Sequence, residues 1–487
     1  MKKNTLSLFA SLLLLCSCYK LEDSNVNPNE PVFVTASALL NWSIYSLATN
    51  SSHNSGLAMQ NLFCQHFSEA YTSISRYQLS PYYFDFRSFH SILDLQQIIR
   101  LCAEEPDAQR GGGDPANQIA QARILKAWLF QTMTDRWGDI PYTEAVSDKL
   151  APRYDTQESI YRDLLRELDE AAAQIRPDAP GPVGTTVNAD ALYIGNMAQW
   201  KKFANSTALR VAIRMADRDW PTAKTAIEKA YTGGVFDNNN DNARYIFFPP
   251  PSIYPNPFSV DYSYYIPGNM YPPSYCISKP LMDVLKGLDD PRIPKYAAPA
   301  FKTGQYEGRP YGLELADNLA LDGQNYSPLS EKAAAPDGQV VMLDYAEVCF
   351  ILAEAIERGA AIPGSAADWY HKGIRASLEW WGVDATATID TYLARPDVRY
   401  DTAPGTWKEK IGKQKWLALF LQGGEAWTEW RRLDFGILQP PPGLDFIPTR
   451  YLYPDNEQIV NKKSYDEAVS RLPGGDKLTS KVWWDVY

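Results

Sequence analysis

At 487 residues, with 45% hydrophobic and 22% charged positions, the chain has the makeup of a folded protein large enough for several domains or one large core. A mean hydropathy of -0.35 excludes a polytopic membrane protein. A formal net charge of -11 argues against a nucleic-acid partner, because phosphate binding needs a clustered basic surface.

The first eighteen residues, MKKNTLSLFASLLLLCSC, set two lysines before an apolar run from Leu6 to Leu15 and then small residues. A run this short cannot cross a bilayer, which takes roughly 20 residues, so residues 1–17 read as a signal peptide. Leu15-Cys16-Ser17-Cys18 resembles a bacterial lipobox, and Cys18, which follows a small residue, is the expected lipidation site. Acyl chains there would tether the protein to a membrane without a spanning helix. Residues 18–34 then form the lipidated N-terminus and a polar tether rich in Asn and Pro.

Amphipathic helices are expected over Ala36–Leu47, Leu57–Phe67 and Phe86–Cys102. Between the second and third lies EAYTSISRYQLSPYYFDF, aromatic and irregular, with Pro81 forbidding a helix. The strongest helical run is ANQIAQARILKAWLFQTMTDRWGDIPYT, residues 116–143. Its apolar residues, among them Ile119, Leu125, Trp128, Met133 and Trp137, cover more than one stripe, which predicts a core helix with neighbours on several sides. Asp114 and Pro115 supply a cap and a first residue, and Gly138 and Pro141 stop it.

Further helices are expected at Gln157–Ile175, Ala191–Ala216, Pro221–Ala230, Val340–Arg358 and Ala366–Trp381, then in IGKQKWLALFLQ and GGEAWTEWRRLDFG. Their pairing suggests a degenerate tetratricopeptide-like scaffold, although no repeat period survives. The fold class is therefore mainly α, a helix-pair scaffold over about 35–236 and 340–435. A loop-rich second part, rich in Tyr and Pro, covers about 237–339. Within it, residues 245–275 hold eight prolines and seven tyrosines and predict a long functional loop.

Catalytic and metal signatures are weak. Asp237-Asn-Asn-Asn-Asp241 begins like a calcium loop, but Asn242 stands where glycine and Phe248 where glutamate would be needed, so no metal site or cofactor is expected. The four histidines form no ligand pattern, and no G-x-S-x-G occurs. Glu425, Arg431 and Arg432 beside tryptophans suit either a ligand or a structural ion pair, and the structural reading is preferred. Arg110-Gly-Gly-Gly-Asp114 reads as an ordinary loop rather than a phosphate cradle, since no strand precedes it. Of the six cysteines, Cys102 and Cys349 lie in apolar helical runs and read as buried thiols. With 30 tyrosines, the aromatic loops suit neutral sugars, whose C–H faces stack on rings while hydroxyls hydrogen-bond.

Asp135-Arg-Trp-Gly-Asp-Ile-Pro-Tyr-Thr-Glu-Ala145, Trp200-Lys-Lys-Phe-Ala-Asn205, Tyr345-Ala-Glu-Val-Cys-Phe-Ile-Leu-Ala-Glu-Ala355, Gly424-Glu-Ala-Trp-Thr-Glu-Trp-Arg-Arg432 and Tyr453-Pro-Asp-Asn-Glu457 are in order along the chain. Together they resemble the SusD/RagB family of Bacteroidetes surface lipoproteins, with 35–487 as the SusD-like domain. Lys20, Glu22 and Asp23 resemble that group's surface-export signal. The resemblance implies a non-enzymatic, lipid-anchored lid at the outer-membrane cell surface, partnered with a TonB-dependent SusC-like barrel and capturing oligosaccharide or peptide. A glycan-degrading lipoprotein and a pure helical-repeat interaction scaffold remain as alternatives. Family ligand sites tend to lie on the irregular segments, which here point to Tyr71, Tyr77, Tyr82, Tyr262, Tyr264, Tyr265 and Tyr271.

Overall fold

From its N-terminal side the computed structural model runs through helices α1 (Ala36–Ser52) and α2 (Leu57–Phe63), strand β1 (Phe67–Glu69), and helices α3 (Phe89–Glu104) and α4 (Pro115–Trp137). Strands β2 (Ile140–Pro141) and β3 (Tyr154–Asp155) precede α5 (Gln157–Gln174), α6 (Met197–Arg214) and α7 (Trp220–Gly233). Then come β4 (Ala243–Ile246), β5 (Tyr275–Ile277), α8 (Lys279–Gly287), β6 (Gln339–Leu343), α9 (Tyr345–Glu357), α10 (Ala366–Trp380), α11 (Trp407–Ala418), α12 (Gly423–Leu433) and α13 (Lys462–Ser470). The structure describes residues 34–52, 57–79, 84–86, 89–181, 190–248, 256, 259 and 274–487. Ala36–Tyr487 is one compact unit.

Side-chain caps set most helix starts. Asp114 accepts hydrogen bonds from the amides of Ala116 and Asn117 and so starts α4. Gly138 ends that helix at φ +83°, a conformation an L residue adopts only under strain. Thr156, Asn196, Asp219, Asp344, Ser365 and Thr406 cap α5, α6, α7, α9, α10 and α11 in the same way. Helix α4 is buried on nearly all sides, as its apolar pattern demands: α3 packs on one flank and α5 on another.

The helices follow one another as packed neighbours. Helix α1 lies on α3, α3 on α4, α4 on α5, α5 on α6 and α6 on α7. Helix α6 also meets α9, which pairs with α10 and α11; α11 meets α12, and α12 returns to α2. The chain is thus mainly helical, and the described residues form three antiparallel two-stranded ladders, β1–β5, β2–β3 and β4–β6.

Several boundaries differ from the sequence expectation, three of them for a clear local reason. The run Val340–Arg358 is not a single helix, because Gln339–Leu343 pairs with β4 as a strand and Asp344 then caps α9. Helix α2 stops at Phe63, since Phe67–Glu69 joins a ladder instead of continuing the helix. The segment before α6 is a turn, and Asn196 delays the helix start to Met197.

Where α4, α6, α9, α11 and α12 meet, charged side chains are buried together. Arg210 donates to Glu347 at 2.9 Å, Arg432 to Glu354 and Glu429 at 2.6 and 2.7 Å, and Lys415 lies 2.9 Å from Glu429. Arg214 reaches Asp135, Glu425 and Glu429. The Arg431 guanidinium lies over the rings of Trp427 and Trp484 and donates to the Asp135 and Thr449 carbonyls. Burial opposes the charge on Glu354, but Arg432 overrides it and holds the carboxyl down at about 2. Glu425, Arg431 and Arg432 are therefore scaffold residues. Cys102 and Cys349 are buried free thiols.

Candidate functional site

The β1–β5 ladder joins two chain positions that flank the aromatic stretches of the sequence. Its register pairs Phe67 with Ile277, Ser68 with Cys276 and Glu69 with Tyr275, and the Ala70 amide extends it by donating to the Ser274 carbonyl at 2.8 Å. In an antiparallel pair the end of one strand lies beside the start of the other. The chain leaving β1 at Ala70 and the chain entering β5 at Ser274 therefore meet at one end of a single ladder, although about 200 positions separate them.

Glu69 fixes the outgoing turn. Its side chain is buried and accepts hydrogen bonds from the Ser75 amide at 2.9 Å, the Ser75 hydroxyl at 2.8 Å and the Thr72 hydroxyl. Burial pushes the Glu69 carboxyl above its ordinary value, and these three donors pull it part of the way back. The Glu69 carbonyl accepts from Arg309 Nε at 3.1 Å and Asn318 Nδ2 at 2.9 Å. Arg309 in turn lies over the Tyr326 ring, 5.3 Å from its centroid. Arg76 closes the turn by donating to the Gly312 and Pro442 carbonyls and pairing with Glu314.

Two of the expected ligand tyrosines lie on this turn, and they differ. Tyr71 is 45% exposed at the ladder end, and the nearby Arg309 charge offsets part of the rise that burial imposes on its hydroxyl. Tyr77 is 6% exposed, in left-handed backbone at φ +62°, with its ring against Phe63 and Phe446 and its hydroxyl beside that of Tyr311. A ring placed so offers a ligand no face; it anchors the turn that presents Tyr71. Tyr82, Tyr262, Tyr264, Tyr265, Tyr271 and Cys18 lie outside the described residues.

Arg309 and Asn318, which reach Glu69 only through the fold, and Tyr326, which lies beneath Arg309, carried no signal in the sequence. The Asp237–Asp241 turn is held by Lys202, whose ammonium lies 2.7 Å from Asp237 and 2.9 Å from Asp241, where a cation would otherwise sit. Among the described residues no cluster of His, Cys, Asp and Glu could hold a metal ion. A groove of about 1130 Å³ between α5, α6 and α7 is lined by Leu165, Ala172, Ala208 and ion-paired side chains and has no aromatic wall, so it lacks the surface on which a sugar stacks.

A family model described as "Starch-binding associating with outer membrane", SusD-like, matches residues 28–454. The chain belongs to the SusD-like family. Among solved structures it is similar to a chitin-binding protein at 28% identity and TM-score 0.76, covering 93% of this chain and 99% of that one. A SusD homologue from Bacteroides uniformis is 25% identical with TM-score 0.78, covering 93% and 100%. A chitin-binding SusD homologue from Flavobacterium johnsoniae shares the fold at 24% identity and TM-score 0.75, covering 92% and 98%. No curated protein matches the chain. The SusD-like fold is the mainly helical scaffold described above, and the family is by its description one of carbohydrate-binding, outer-membrane-associated proteins. Among the described residues no helix is long and apolar enough to cross a membrane.

Proposed function

We propose that this SusD-like chain is a non-enzymatic, cell-surface lipoprotein that captures a neutral oligosaccharide and hands it to a TonB-dependent SusC-like outer-membrane barrel. The observation that supports the capture step is the β1–β5 ladder, which joins Ala70 to Ser274, the positions from which the aromatic stretches 71–83 and 245–274 depart in sequence. Tyr71 is the ring of this site with a described, exposed face, and Tyr82, Tyr262, Tyr264, Tyr265 and Tyr271 belong to the same two stretches. The chitin-binding and starch-binding descriptions of its relatives support a glycan over a peptide. The signal peptide over residues 1–17 and lipidation at Cys18 give the address. The helical scaffold of about 35–236 and 340–435 supports a loop-rich ligand part of about 237–339.

Affinity capture of the tagged lipoprotein from detergent-solubilised native membranes tests the delivery step. A large TonB-dependent barrel recovered at equal stoichiometry is the expected result, and recovery of the folded protein alone contradicts it. Incubation with chito- and malto-oligosaccharides separates capture from hydrolysis: the products stay intact in this account, and turnover would favour a glycan-degrading enzyme. Replacing Tyr264 and Tyr265 together with alanine should weaken oligosaccharide binding, and unchanged affinity would remove them from the site.

A further inference from the structure

A second cavity, of about 330 Å³, opens between β4, β6 and the C-terminal end of α10. Its wall combines Trp380 and the buried Trp381 with two cations, Arg244 and Lys332. Both cations are anchored on the tryptophan pair: the Arg244 guanidinium lies 5.3 Å from the Trp380 ring centroid, and Lys332 donates to the Trp380 carbonyl at 3.0 Å and lies 5.9 Å from the Trp381 ring centroid. Arg244 also donates one nitrogen to the Gln339 side chain at 2.8 Å, which leaves the rest of its donor fork for another acceptor.

In a chain of net charge -11, cations ordinarily find carboxylates, and among the described residues neither of these two forms an ion pair. Asp337 lines the cavity and Asp384 lies close enough to influence Lys332, yet neither is bonded to either cation. Lys295 adds a third positive charge near Lys332. The volume lies at the small end of the range for ligand cavities, enough for about one or two sugar rings. Ile246 and Leu421 supply apolar surface beside the tryptophans.

From this arrangement we infer a second glycan site, one that takes a carboxylated sugar, with the uronate carboxylate held between Arg244 and Lys332 and the ring against Trp380, Ile246 and Leu421. A planar guanidinium held by an aromatic ring and an amide is preorganised for a carboxylate, and Lys332 contributes as a movable point charge. Among the described residues the proposed ladder site shows no such pair of unpaired cations, so the two sites select different sugars. The family's carbohydrate-binding description favours a sugar carboxylate over an acidic peptide.

Calorimetric titration of the mature protein with trigalacturonate, its fully methyl-esterified form and triglutamate tests the assignment. The acid should bind at least tenfold tighter than the ester, which has the same shape without the charge, and tighter than triglutamate. Arg244→Gln and Lys332→Gln should each weaken trigalacturonate about tenfold, Arg244→Lys should retain part of the affinity, and Tyr71→Ala should leave it unchanged. Equal affinity for acid and ester, no loss in the Arg244→Gln/Lys332→Gln double variant, or tighter binding of triglutamate would overturn it. Binding of chitohexaose or maltohexaose, unaffected by Arg244→Gln, keeps this result separate from that of the ladder site.

Discussion

Glu69 and Tyr71 divide the work of the ladder site between shape and contact. Glu69 is buried with three donors on its carboxylate, so Glu69→Ala leaves the Ser75 amide without its acceptor. An unsatisfied buried donor costs about 1–3 kcal/mol, so this variant should melt at a lower temperature and bind glycan more weakly in the same preparation. Tyr71→Ala should leave the melting temperature unchanged, because the ring is 45% exposed. Calorimetric unfolding of both variants separates the two roles; a fall in stability for Tyr71→Ala would make it a packing residue. Aromatic composition together with the family resemblance drew attention to Tyr71. The burial of Tyr77 was not legible, since it depends on Phe446, far away in the chain, and Arg309 and Asn318 likewise meet Glu69 across 240 and 249 positions.

At the scale of elements, caps and breakers wrote most helix ends into the sequence. Asp114, Pro115 and Gly138 bound α4 where local chemistry placed the limits. Asp114→Ala should lower unfolding free energy by about 1 kcal/mol in urea, the usual worth of an N-cap, and no change would mean that packing alone fixes the start of α4. The strands were less legible, for a physical reason. Val340, Val341, Met342 and Leu343 form a continuous apolar run that fits a buried helix or a buried strand equally, and only pairing with β4 selects the strand. Phe67–Glu69 is short and continuous with a helical pattern, so its partner β5 had no local signal. That ladder predicts coupled behaviour: on adding oligosaccharide, amides in 70–79 and 274–277 should gain hydrogen-exchange protection together. Protection of only one stretch would separate them.

Across the whole molecule, the buried ion network ties α4, α6, α9, α11 and α12 into one body. Removing one member leaves an uncompensated charge, so Arg432→Met should cost about 3–5 kcal/mol through the stranded Glu354 and Glu429, measured by chemical denaturation. Acid acts on the same groups. Glu354 is held at about 2, below its unfolded value of 4.5, so the stability it contributes is complete above pH 4.5 and is lost as pH falls toward 2. Asp344 and Asp485, raised to about 6 by burial, work the other way and favour the fold as they protonate between pH 6 and 3.8. Stability should therefore fall steeply only below pH 4.5; a stability curve flat down to pH 2 would contradict the network's role. The motif-bearing segments at 135–145, 345–355 and 424–432 turn out to supply this network, which is why they located the scaffold and said nothing about the ligand.

The central proposal is that the ladder end bearing Tyr71 forms part of a neutral-glycan site, and calorimetric titration of the mature protein with chitohexaose and maltohexaose tests it most directly. The account predicts saturable binding of at least one of them, weakened about fivefold in Tyr71→Ala, which corresponds to about 1 kcal/mol of lost stacking. Absence of binding to both, or full affinity in Tyr71→Ala with the fold intact, would contradict it.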